Sequence, residues 1–386
     1  MKPSQCLKFA CLMFATMLPA FAQAQFTFFT NNGAITITGY SGSNGIVVIP
    51  DTTNGYPVVN IGSNAFYNCT SLTNVTIGTN VVSIGDYAFA ECDSLTNVLI
   101  PNSLANIGDG VFYDCYGLTS VIIDNGVTNI GDYVFYQCLS LTSVTIGKGL
   151  TSIGDHGFSG CTSLTVITVD ADNANYSTLN GILFDKMQTQ IIKYPVSIVG
   201  SYVIPNGVTN IGVEAFAECV RLTSVTIGTN VTCIGDDAFF FCSGLTNVTI
   251  PISVTNIGNY AFCDCWGLIG VMIGNGVKNI GDDAFYACTG LTGVSIPKSV
   301  SVIGDCPFGD CTSLMAISVD TNNPVYNSLD GVLLNHNRTT LIQCPGAKAG
   351  ELHGPRKCHQ HWLRGVLHLL ETDQCLFSRE CSHPKQ

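Results

Sequence analysis

The sequence returns on itself at a fixed step of 23 residues, and that period limits what it can fold into more than any other feature. An Ile-Gly step stands at Ile61, Ile84, Ile107, Ile130 and Ile153, then after one longer gap at Ile211, Ile234, Ile257, Ile280 and Ile303. In each copy a Phe follows five residues after the Ile (Phe66 to Phe308), a Cys eight after (Cys69 to Cys311) and a Leu eleven after (Leu72 to Leu314). Between Leu72 and Ile77 apolar residues alternate with polar ones, so Val75 and Ile77 share one face of a strand and Thr76 takes the other. A turn at Gly78-Thr79-Asn80 follows, then a second short apolar edge, Val81 and Ile84, ending at a Gly. Ala88, Phe89 and Cys92 are spaced to face one way on a single helical turn, with Asp86 where its N-cap would stand. One such coil cannot bury both of its faces. Neighbours must therefore stack, and their Leu, Val, Ile, Phe and Cys side chains must form continuous interior columns.

The patterns L-T-x-V-x-I, x-V-x-x-I-G and A-F-x-x-C closely resemble the BspA-type leucine-rich repeats of bacterial and some protist surface proteins, over residues 26–350. The Cys after A-F and the Ile-Gly step are what set this class apart from other leucine-rich repeats. The resemblance implies a right-handed solenoid of the α/β repeat type, mostly parallel β with short helical turns and 23-residue coils. It further implies a secreted or surface location, a role in adhesion or in host and matrix binding, and no shared catalytic residues.

In chain order, residues 1–24 carry Lys2 and Lys8, an apolar run from Phe9 to Phe21, and small residues at Ala22 and Ala24, which reads as a secretory signal peptide. The run is short for a membrane span, so no membrane insertion is expected after its removal. Residues 25–60 read as an N-terminal β cap, with Asn32-Gly33 as a hairpin turn between the first two strands. Five repeats occupy 61–164 and five more 209–316. Between them, 165–208 is an insertion with strands of its own, expected as a hairpin packed on the solenoid edge. Its text recurs at 317–350 as a second insert, each with an Asn/Asp-rich turn, a Tyr and then Asn-Gly or Asp-Gly.

Residues 351–386 break the pattern, holding five of the seven His and no repeat landmark. A disordered tail is the plain reading. The preferred one is a frameshifted eleventh coil, because a shifted reading of the codons permits the Ile-Gly step at His361 and Trp362, a Phe at Val366 and a Cys at Leu369. Cys358, His359, His361, Cys375 and Cys381 are soft-metal ligand types, yet their spacing matches no strong zinc pattern, and no metal is assigned to them.

Nineteen Cys in a secreted chain would ordinarily suggest disulfides. Ten of them, however, occupy one column whose Cβ atoms run in parallel, which favours buried free thiols acting as small apolar fillers. The Asp after Ile-Gly (Asp86, Asp109, Asp132, Asp155, Asp236, Asp282, Asp305) invites a calcium-ladder reading. A cap at the start of each helical turn is preferred, since a calcium site needs six or more oxygens and no second acidic position recurs beside this one. His156 and His336 stand without a recurrent nucleophile, and no phosphate-loop, G-x-S-x-G or H-E-x-x-H motif occurs. Enzymatic activity, cofactors and catalytic residues are accordingly not expected.

What remains is the surface. Residues 25–346 hold 7 Lys and Arg against 23 Asp and Glu, a net charge of −16 that disfavours nucleic acid and anionic membrane. The outward strand positions Thr73, Asn74, Thr76, Thr142, Ser143, Thr145, Thr223, Ser224, Thr226, Thr246, Asn247 and Thr249 read as a flat, neutral hydroxyl and amide face, the candidate contact for a protein or glycan partner. Two alternatives remain: a structural or degenerate member of an expanded repeat family with no dedicated ligand, or a Thr-ladder surface for ice or a crystalline polysaccharide. Leu99, Ile122 and Met272 interrupt the latter. The inward and outward assignment is testable in one coil by denaturant unfolding. Leu141→Ala should cost about 2–5 kcal/mol, as large core truncations do, whereas Ser143→Ala should leave stability nearly unchanged.

Overall fold

The computed structural model describes residues 25–350, so the readings made for 1–24 and 351–386 lie outside the described residues. The described chain divides into two compact units, residues 25–139 with 152–157 and residues 140–151 with 158–350. Both are built from the same parallel-strand coil of about 23 residues, roughly 12 turns in all.

In the first unit each coil contributes one strand of three or four residues and one of two. The longer strands Ile46–Val48, Asn74–Thr76, Asn97–Leu99 and Ser120–Ile123 pair in parallel, with Val75 opposite Val98 and Val98 opposite Val121. The short strands Ser83–Ile84, Asn106–Ile107, Asn129–Ile130 and Ser152–Ile153 form a second parallel ladder, which Tyr56–Ile61 and Ala34–Tyr40 extend toward the N-terminus. Phe26–Asn31 runs antiparallel to Ala34–Tyr40 through a turn whose residues, Asn32 and Gly33, have φ of 48° and 74°. Positive φ at both centres is what a two-residue hairpin needs, and Asn and Gly are the residues that tolerate it. The hairpin sets the rings of Phe26 and Tyr40 against Phe66, at 6.1 and 5.3 Å, and so covers the first ring of the interior column. Behind it Phe66, Phe89, Phe112 and Phe135 stack at 4.7, 5.7 and 5.7 Å, all fully buried.

The segment around each buried Phe is not the expected helical turn. Tyr87 and Glu91 have φ of 55° and 57°, left-handed values that no α-helix contains, and the same alternation recurs at Tyr133 and Gln137. Alternate N–H groups point to the next coil instead: Tyr87, Phe89 and Glu91 donate to the carbonyls of Asp109, Val111 and Tyr113. This is a third ladder of cross-coil hydrogen bonds, made without a regular strand. Asp86 accordingly caps nothing in its own coil. Its Oδ1 accepts the N–H of Asp109 at 3.0 Å, Asp109 accepts from Asp132 at 2.9 Å, and Asp132 accepts from Asp155 at 2.8 Å. The Gly before each Asp makes that approach possible, since a Cβ at Gly108 would lie 2.4 Å from Asp86 Oδ1.

The column cysteines are free and also reach back along the stack. Cys92, Cys115 and Cys138 hold Sγ 3.1–3.2 Å from the carbonyls of Phe66, Phe89 and Phe112, so each thiol is a weak donor to the coil before it as well as a filler.

The second unit follows the same plan. Leu222–Thr226, Asn247–Ile250, Gly270–Ile273, Gly293–Ile296 and Ala316–Val319 supply the longer strands of successive coils. Phe216, Phe239, Phe262, Phe285 and Phe308 form its ring column at 4.9–5.5 Å. The Asp ladder recurs, with Asn259 accepting from Asp282 at 2.9 Å in a position that Asp holds elsewhere. The first insert corrects one expectation. Tyr176–Leu179, Ile182–Asp185 and Gln190–Lys193 form an antiparallel meander around an Asn180-Gly181 turn. It is not packed on an edge, because its last strand enters the short-strand ladder in parallel, Gln190 opposite Asn210 and Ile191 opposite Ile211. Asn173 anchors the insert from a fully buried site. Its Nδ2 donates to the carbonyls of Gly147 and Leu150, and its Oδ1 accepts from the N–H groups of Asn175 and Tyr176, which uses its full capacity. Asn323 repeats the arrangement in the second insert.

Two outcomes follow. Asp109→Asn should be tolerated, as Asn259 is, because an acceptor oxygen remains, while Asp109→Ala removes the acceptor of a solvent-exposed backbone N–H and should cost about 0.5–1.5 kcal/mol in urea unfolding. Burial pushes the Cys92 thiol up to about 12 and Cys115 well above the ordinary range, while Cys69 is part-exposed. Iodoacetamide should therefore label native Cys69 ahead of Cys92 and Cys115, and label all ten column thiols after denaturation without reductant. Equal native labelling of Cys69 and Cys115 would contradict the buried column.

Candidate binding surface

None of the twelve candidate residues is buried. Thr73, Asn74 and Ser143 are half-buried, and Thr76, Thr142, Thr145, Thr223, Ser224, Thr226, Thr246, Asn247 and Thr249 are exposed. Their hydroxyls do not form one chemical class. The Thr at the start of each strand donates back to the previous coil: Thr73 to the Gly45 carbonyl at 2.7 Å, Thr96 to Thr73 at 3.0 Å, Thr119 to Thr96 at 3.1 Å. In the second unit Thr165 donates to the Thr142 carbonyl at 2.8 Å and Thr246 to Thr223 at 3.4 Å. These side chains are part of the stack and offer a ligand chiefly their lone pairs and methyl groups.

The third strand position is different. In the first unit its row reads Val48, Thr76, Leu99, Ile122, each directly opposite the next. Leu99 is 60% exposed and Ile122 52%. In the second unit Val203 lies opposite Thr226 and Met272 opposite Thr249, and Val203, Ile269, Met272 and Met315 are all exposed. The face is therefore a mixture of hydroxyl and bare apolar groups, not the neutral hydroxyl and amide plane expected. The interrupting residues were visible in the sequence, but only alignment of the third strand position coil by coil makes them one row. Beside Met272 the second unit has a shallow groove of about 580 Å³, lined also by Ser295, Val319, Asp320 and Asn322.

Other chemistry is sparse on these coils. Among the described residues no group of three or more His, Cys, Asp or Glu side chains is placed to hold a metal ion. The recurrent Asp oxygens accept the backbone N–H groups described above. No helix of the described residues is long and apolar enough to cross a membrane.

A surface-rich solenoid of this kind has solved counterparts. A leucine-rich repeat protein from Eubacterium ventriosum is 25% identical, with a TM-score of 0.63 over 78% of this chain and 91% of its own. The pneumococcal vaccine antigen PcpA shares the fold at 18% identity, TM-score 0.55, over 77% and 80%. A leucine-rich cell surface protein from Faecalibacterium prausnitzii is 27% identical over 76% and 86%, with a TM-score of 0.48. No curated protein matches the chain in sequence. The model of the BspA-type leucine-rich repeat region matches residues 59–190 and 194–315 in six copies. With its parallel coils, its Phe and Cys columns and this match over most of its length, the chain belongs to the BspA-type leucine-rich repeat family.

Proposed function

We propose that this chain is a secreted or cell-surface, non-enzymatic binding module whose outward sheet face holds a protein partner. The observation that carries the reading is the row Val48, Thr76, Leu99 and Ile122, where bare aliphatic side chains stand in register on a rigid strand ladder. Exposed apolar groups in one row, rimmed by hydroxyls and amides, are the composition of a protein contact patch. A glycan would be served better by the hydroxyl and amide positions alone. The Thr-ladder reading for ice or crystalline polysaccharide is supported less, since Leu99, Ile122 and Met272 break the repeat of hydroxyls it needs. The family match supports the location. The acidic balance supports a partner other than nucleic acid.

The full chain, the double variant Leu99→Ser with Ile122→Ser, and the variant Thr76→Ala should be tested against arrays of extracellular proteins and of glycans. Protein ligands should bind the wild type and lose about tenfold in affinity with the double variant, with the melting temperature unchanged because both residues are exposed. Binding confined to glycans and indifferent to the double variant would overturn the reading.

A further inference from the structure

The first unit has a second exposed surface, on the turn segments that flank the buried Phe column. Tyr67, Tyr87, Tyr113, Tyr116, Tyr133 and Tyr136 all project there, and Tyr67, Tyr87 and Tyr116 are each more than a third exposed. Four of them form a continuous aromatic run. Tyr113 and Tyr136 stack at 4.8 Å and 14°, Tyr87 meets Tyr113 at 6.1 Å, and Tyr133 meets Tyr136 at 71° and lies on His156 at 4.7 Å. Gly110 leaves room for this run, since a Cβ there would fall 2.4 Å from the Tyr87 ring.

Carboxylates are set into the same surface. Tyr67 Oη donates to Glu91 Oε1 at 2.5 Å, and the Tyr116 hydroxyl hydrogen-bonds to Asp114. Partial burial raises the Asp114 carboxyl, the Tyr116 hydrogen bond opposes that, and the charges of Glu91 and Asp93 raise it further. Nothing basic relieves the repulsion, for residues 25–139 contain no Lys, Arg or His, and 152–157 add only His156.

We propose that this tyrosine-lined face is a docking site for a cationic, extended polypeptide segment that sets Arg or Lys against Glu91, Asp93 and Asp114 and lays their aliphatic stems along the tyrosine edges. Guanidinium and ammonium groups are donors only, and this face offers them carboxylate and phenol oxygens as acceptors. Stacking turns the faces of Tyr113 and Tyr136 toward each other and leaves their edges outward, so this pair offers a sugar ring no free face between them. The surface extends over five coils, roughly 20 Å at strand spacing, which about six extended residues would span. Tyr and Arg are also the side chains that dominate protein contacts. The site shares no residue with the sheet face, so either can fail without the other.

Fluorescence anisotropy of the full chain with a labelled (Arg-Ser)4 peptide at physiological salt tests the proposal, with (Gln-Ser)4 and chitohexaose as the neutral peptide and the glycan. Three versions are compared: wild type, the triple variant E91Q/D93N/D114N, and the charge-matched triple variant D124N/D172N/D330N, which leaves all three carboxylates of the face in place. The first triple should weaken (Arg-Ser)4 binding by about tenfold and the second by less than about twofold, because at a Debye length of ~8 Å only nearby charges act. Tyr87→Ala and Tyr116→Ala, checked by circular dichroism for an intact fold, should each weaken it about threefold. Equal losses in the two triples would reduce the effect to net charge and overturn the site. So would equal affinity for (Gln-Ser)4, binding of chitohexaose in place of the peptide, or no peptide binding by the wild type.

Discussion

Every part of this structure depends on the backbone of one coil being satisfied by the backbone of the next. A coil built of short strands and turns satisfies little of its backbone within itself, and its buried N–H and C=O groups must find partners or cost free energy. Three ladders supply them: the longer strands, the two-residue strands at Ile-Gly, and the irregular run through the Phe turn. Side chains extend the same scheme. Asp Oδ1, Thr Oγ1 and Cys Sγ each bond to backbone of an adjacent coil, Asp accepting and Thr and Cys donating. The interior columns then bury apolar surface at positions that the ladders have already aligned.

That dependence explains what was legible in the residues and what was not. Leu72, Val75 and Ile77 alternate at the strand period, and Phe66, Cys69 and Ile61 recur at the coil period, so the core columns and the parallel stack could be read directly. Asn32-Gly33 and Asn180-Gly181 named their hairpins because few other residues tolerate two successive positive φ values. The Phe turn could not be read. The spacing of Ala88, Phe89 and Cys92 fits one helical turn, and nothing local reveals that Tyr87 and Glu91 adopt left-handed φ. That choice is made by the next coil, whose carbonyls take the N–H groups a helix would have used internally, so Asp86 passed for a cap.

The surfaces divide in the same way. Strand parity placed Thr76, Thr145, Thr226 and Thr249 outward, because regular alternation carries that information. The aliphatic row through Leu99 and Ile122 needed the inter-coil register, which turns scattered exceptions into neighbours. Tyr113 and Tyr136 lie in the irregular turn, where no period says which side chains meet, and only the folded turn brings their rings together.

The re-entry of the first insert into the short-strand ladder bears on how a chain of this type can change length. Three ladders must stay in phase at once, so a deletion of one or two residues inside a coil would dislocate all of them downstream. A segment that leaves after Val166–Val169 and returns at Gln190 opposite Asn210 keeps the phase, whatever it does in between. The fold therefore tolerates variation in whole turns or in detours that rejoin on register, and the two related inserts mark where such detours are admitted.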